Sequence, residues 1–225
     1  RYVDGMRKAW GRTWRTVTMR IKSMEEKLIA HCAPTLAGMK SAGLFSYFYK
    51  EEEKVREELD QINELLNPRG LYVDALVWRE KSVLIYAYRP LMLRYDWEDT
   101  TARKILKDYG YPCGEATEIT DCIRFLRKRV CECACFPHEI GIFLGYPPED
   151  VKGFIENGGQ NCKSCGLWKV YCEEEKKSVM FQRFRKCTEV YQKVFQNGRT
   201  IAQMTVMGGS GGNFRPASAT FFFCD

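Results

Sequence analysis

Five of the eleven cysteines and one of the two histidines of this 225-residue chain fall between Cys131 and Cys165, in the stretch CECACFPHEIGIFLGYPPEDVKGFIENGGQNCKSC. Thiolate and imidazole bind soft metals, or act as nucleophile and base near neutral pH, so chemistry is sought there first. Cys162-Lys163-Ser164-Cys165-Gly166 has the spacing of a knuckle that points two sulfurs at one tetrahedral ion. The remaining ligands of a zinc or iron–sulfur centre would come from Cys131, Cys133, Cys135 or His138. On a helix Cys131 and Cys135 share a face and Cys133 does not, so the set to examine is Cys131, Cys135, Cys162 and Cys165. The alternative is that these thiols pack as small hydrophobes. A thioredoxin-like redox pair is a poorer match, because such pairs open a helix and this one precedes a strand.

Two further places carry catalytic residue types. His138-Glu139 follows Pro137 at an expected helix start, where the dipole would lower an imidazole pKa and suit a general base. His31-Cys32 is the only adjacent imidazole and thiol, and Lys40 lies nine residues beyond His31. The catalytic candidates are therefore His31, Cys32, Lys40, His138 and Glu139. The structural alternative for His138 is that it caps or packs a short helix. Gly208-Gly209-Ser210-Gly211-Gly212 matches G-x-S-x-G in letters only, since neither a strand nor a helix flanks it. No dinucleotide fingerprint, P-loop or H-E-x-x-H occurs, so common nucleotide and zincin chemistries gain no support.

The elements that position these residues follow from periodicity. Residues 31–40 combine Pro34 and Gly38 with small side chains and are expected to be a loop, which feeds a strand at Leu44–Tyr49. Val55, Leu59, Ile62, Leu65 and Leu66 have helical spacing within 51–66, behind an acidic first turn and before Asn67-Pro68-Arg69-Gly70. Leu71–Trp78 and Ser82–Tyr88 are rich in β-branched and aromatic residues and predict an antiparallel hairpin. Helices are expected over 96–109, 115–130, 138–144, from Pro147-Pro148 to about 156, and over 174–196. A strand is expected over 165–172, and a short helix or strand over 200–206. The fold class is α+β: a helix-dominated single domain with a small, mainly antiparallel sheet.

The net charge of +6 resembles a nucleic-acid signal until it is localised. Residues 1–23 carry seven Lys/Arg against Asp4, which is 7 − 1 = +6, and the rest holds 28 basic and 28 acidic residues. Nucleic-acid binding therefore depends on that basic extension, which is expected to lie outside the domain, with Met24 opening the domain proper. Residues 24–206 are the expected domain and 207–225, GGSGG-containing, a flexible tail. No apolar run approaches a membrane span, so no membrane partner is expected. An odd cysteine count without a secretory leader points to reduced thiols in the cytoplasm.

Four stretches, HCAPTLAGMKSAGLF (31–45), FPHEIGIFLGYPPEDVKGFI (136–155), CKSCGLWKVY (162–171) and NGRTIAQMTV (197–206), resemble the DUF3793 family of clostridia and related anaerobic Firmicutes. The resemblance covers roughly residues 24–206. It implies a bacterial cytosolic setting and one domain, and carries over no catalytic residue. Two functions remain open. One is a small cytosolic enzyme or redox-linked protein with a pocket of Cys and His residues; the other is a non-catalytic binding or regulatory protein with structural cysteines, among which a structural zinc is an option.

Overall fold

Apolar residues of three strands point alternately to two faces of one sheet, and that alternation organises the molecule. In the computed structural model, which describes residues 23–112, 118–132 and 136–208, β1 (Ala42–Phe48), β2 (Tyr72–Arg79) and β3 (Ser82–Tyr88) pair antiparallel in the order β1-β3-β2. Val83, Ile85 and Ala87 join Phe45, Tyr47 and Val73 on one face, whereas Leu84, Tyr86 and Tyr88 join Ala42 and Leu76 on the other. Helices cover both faces, which is why the central strand reads as a continuous apolar run rather than an alternating one.

The first face is covered by α1 (Met24–Leu36) and α2 (Glu52–Leu66), which bury Leu28, Ile29, Cys32 and Leu36, and Val55, Leu59, Ile62 and Leu66. The second face carries α3 (Pro90–Asp96), α4 (Thr100–Asp108), α5 (Ile119–Glu132), α6 (Ile140–Phe143) and α7 (Pro148–Glu156). A two-residue hairpin, β4 (Ser164–Cys165) and β5 (Lys169–Val170), follows. The long α8 (Glu174–Gln196) then returns over the first face, and α9 (Ile201–Met204), closed by a Thr200/Gln203 capping box, seals it. The fold is α+β and helix-dominated, and no helix among the described residues is long and apolar enough to cross a membrane.

Three expectations are corrected. The stretch expected to be a loop at 31–40 is helical as far as Leu36. Met24, Leu28, Ile29, Cys32 and Leu36 supply the apolar face, and Pro34 sits in the last turn, where its missing donor removes one bond only. Residues 96–109 are not one helix: Asp99 accepts from the Thr101 and Ala102 amides and starts α4 afresh after α3 has ended. The expected strand at 165–172 is the β4–β5 hairpin instead. Of the sequence readings, residues 1–22 of the basic extension, Cys133, Cys135 and the tail from 209 lie outside the described residues.

Candidate functional site

The C-terminal end of α1 is where three of the distinctive stretches meet. Beyond Leu36 the chain turns through Gly38 and Met39, whose amide is held by Pro34 O, and enters β1 at Lys40-Ser41-Ala42. Lys40 places its ammonium 4.9 Å from the centroid of the Tyr146 ring, which stacks on Trp168 at 4.7 Å, and Trp168 meets Phe181 edge-on at 4.5 Å. Met39 packs on the same aromatic group. A cation over an aromatic face is favoured by the ring quadrupole, yet among the described residues no carboxylate pairs with the Lys40 ammonium and no hydrogen bond reaches it. Burial pushes its amine down to about 8 from the ordinary 10.5, with Cys32 acting weakly in the opposite direction.

Ser41 is buried and donates its hydroxyl to Asp96 Oδ2. Burial raises Asp96 to about 6, partly offset by this hydrogen bond. Gly145 closes over the pair at φ +64°, where a Cβ would come within 3.1 Å of the Ser41 side chain. Its left-handed conformation and close approach both require glycine. Cys32 lies behind Lys40 and is fully buried, its sulfur so close to β1 that a Cβ on Gly43 would stand 2.6 Å away. Burial drives this thiol up to about 12, and the nearby Lys40 recovers little of the shift. Near neutral pH Cys32 is therefore a thiol, a poor nucleophile and a poor metal ligand.

The other candidates are dispersed. His31 stacks on Phe45 at 5.4 Å on the first face, while His138 meets Phe154 of α7 edge-on at 5.0 Å in the opposite layer, so the two histidines are not brought to one pocket. Glu139 has no exposed surface; its Oε1 accepts from Tyr111 OH at 3.1 Å and from Arg129 Nε, whose guanidinium lies over Tyr109. Held through Oε1, the carboxylate ties α5 to the turn before α6, while its Oε2 is buried without a hydrogen-bond partner.

Cys131 is exposed at the end of α5, Cys165 is exposed on β4 and Cys162 is partly buried before it. Among the described residues, no three His, Cys, Asp or Glu side chains come together as a metal set. The knuckle is held by other means. Lys163 donates to Val170 O at 2.8 Å, and Gly166 to Trp168 O at 3.0 Å. The buried Asp150 carboxylate accepts from Trp168 Nε1 at 2.8 Å and from the Tyr171 and Cys172 amides at 2.8 and 3.3 Å. Gly166 is required by packing, since a Cβ there would stand 2.2 Å from the Phe181 ring.

Sequence reasoning missed Asp96, Tyr146, Asp150 and Arg89. Asp150 reads as an ordinary first-turn acid of α7, and only the fold aims it at the hairpin. Arg89 does carry a sequence signal: a lone cation between the apolar β3 and Pro90. It is buried and gives Nε to Thr35 O, Nη1 to Arg69 O and Nη2 to Leu36 O and Val206 O at 2.7 to 3.2 Å.

Residues 28–205 match the model of a family described as "Protein of unknown function (DUF3793)". Neither a curated protein nor a solved structure matches the chain.

Proposed function

The chain belongs to the DUF3793 family, and on that footing we propose that it is a small enzyme of the bacterial cytoplasm whose working group is the Lys40 amine. The observation that carries this reading is the position of Lys40: partly buried, over Tyr146, without a carboxylate, where three distinctive stretches converge. An amine with a pKa near 8 is neutral in a useful fraction of molecules at physiological pH and is then nucleophilic. The substrate class is a small carbonyl compound. The amine lone pair adds to the carbonyl carbon, the proton shed by the nitrogen passes to the carbonyl oxygen to give a carbinolamine, and loss of water leaves an imine. The cytoplasmic setting is supported by Cys32, Cys131, Cys162, Cys165, Cys172 and Cys187, which stand as free thiols.

The full-length chain incubated with glyoxylate and sodium cyanoborohydride tests this, because hydride reduction converts the imine into a stable secondary amine. Peptide mass mapping should find Lys40 modified ahead of the exposed Lys54 and Lys152, with a rate that climbs around pH 8. Equal modification of the three lysines overturns the reading. The second reading, a non-catalytic binding or regulatory protein with structural cysteines, is favoured by Cys32 and Cys122, both buried in the core. Selective labelling of Lys40 separates the two.

A further inference from the structure

The two edges of the sheet are treated differently. Odd-numbered residues of β1 pair with β3, as Arg89 N to Ser41 O and Tyr49 N to Lys81 O mark at the two ends, so even-numbered residues turn their N–H and C=O groups outward. On β2 the outward residues are Val73, Ala75 and, beyond the bulge, Trp78; both groups of Val73 and the carbonyl of Ala75 are closed. Asn63 donates to Val73 O at 2.8 Å and accepts from Val73 N at 2.9 Å; Arg127 donates to the Ala75 and Leu76 carbonyls at 3.1 Å; and a bulge at Leu76 bends the strand. Natural sheets block their edges by such means. β1 has none of them. Its sequence, Ala42-Gly43-Leu44-Phe45-Ser46-Tyr47-Phe48, contains no charge, no proline and no bulge, and among the described residues no hydrogen bond reaches the outward groups of Leu44, Ser46 and Phe48.

We propose that β1 pairs antiparallel with β1 of a second copy of this chain about a two-fold axis at Ser46, joining two three-stranded sheets into one of six. The strand is self-complementary in that register. Ser46 faces Ser46 of the second copy, and Leu44 faces Phe48 of the second copy, twice. Each facing pair exchanges two backbone hydrogen bonds. Ser46 is small and exposed, as the axis requires, and Phe48, 55% exposed in one copy, gains Leu44 as a cross-strand neighbour. A slip of one residue would turn Phe48 and Leu44 away from each other, and a slip of two would cost Phe48 its Leu44 neighbour.

Light scattering on the full-length chain during size exclusion should give twice the 26.2 kDa chain mass across a dilution series. Ser46→Lys puts like charges face to face at the axis and should weaken the dimer by about tenfold or more while leaving the circular dichroism spectrum unchanged. As a second variant, Ser46→Cys should form a disulfide between the two introduced thiols, one from each copy, because facing Cα atoms about 5.5 Å apart lie within disulfide reach. Its signature is the cross-linked peptide in a non-reducing digest. A monomer at every concentration overturns the proposal, including one whose Leu44, Ser46 and Phe48 amides are protected by another segment of the chain. A dimer indifferent to Ser46→Lys and without the cross-linked peptide overturns it too.

Discussion

Arg89 and Lys40 are two cations set at the same helix end, and they are used in opposite ways. Arg89 gives its guanidinium to four backbone carbonyls, two of them the terminal carbonyls of α1, where the helix dipole also favours positive charge. Burial lowers it only to about 10, so it stays charged, and with four of its five donors occupied it ties segments together. Lys40 spends its charge on an aromatic ring and keeps its hydrogen-bonding capacity unused. The planar fork of arginine suits a fixed clamp, whereas a desolvated lysine sheds its proton readily. Burial alone therefore does not distinguish structural from reactive cations; the count of satisfied donors does.

The comparison breaks most sharply at the clamp. Arg89→Ala takes the guanidinium from four carbonyls, of which Thr35 O, Leu36 O and Arg69 O keep a backbone N–H from Gly38, Val206 and Gly208, and should cost about 3 kcal/mol in urea unfolding, with Arg89→Lys recovering only part, because an ammonium cannot span the four acceptors. Gly145→Ala should cost about 2 kcal/mol, since it strains a left-handed backbone and pushes on Ser41. It should also slow reductive labelling of Lys40 by moving Tyr146, which a purely local destabilisation would not do.

Lys40→Met is expected to act in the reverse direction to Arg89→Ala. A lysine whose folded pKa is depressed opposes folding wherever the folded protein must hold the proton, that is, below about pH 8. That opposition fades as pH rises from 8 to the unfolded value of 10.5. The variant should therefore be more stable than the parent by about 1–2 kcal/mol at pH 7, and no more stable above about pH 10.5, by denaturant titration at the two pH values. Asp96→Asn should give the smallest effect, a gain of about 1 kcal/mol at pH 7.5. A carboxyl raised to about 6 in the fold favours the folded state below its ordinary 3.8 and loses that contribution as pH rises through 6. The gain from the amide, which can still accept from Ser41, should shrink below pH 6 and vanish below about 3.8 in a thermal-melt series.

Legibility followed the range of the interactions involved. α2, α8 and the β2–β3 hairpin could be read because acidic first turns, turn residues and apolar spacing lie within one element. α1 was hidden by Pro34 and Gly38, although the spacing of Leu28, Ile29, Cys32 and Leu36 was available. The knuckle Cys162–Gly166 looked like a metal turn because CxxCG spacing is local. What holds it is Asp150, and what demands Gly166 is Phe181, neither of which local spacing can name. Lys40 stands out in the sequence for its nearness to His31 and Cys32. It belongs to the site through Tyr146, more than a hundred residues away in the chain.

By itself, then, the sequence determined the family, the α+β class, the even charge balance of the body outside residues 1–23, and the residue types available for chemistry, since composition, periodicity and distinctive words are properties of the chain alone. Only the tertiary structure decided which of those residues have chemistry left to offer. Desolvation and hydrogen-bond partners are set by neighbours distant in sequence, so Glu139, Asp150 and Arg89 became fasteners, Cys32 an inert thiol, and Lys40 the amine whose charge the fold leaves unpaired.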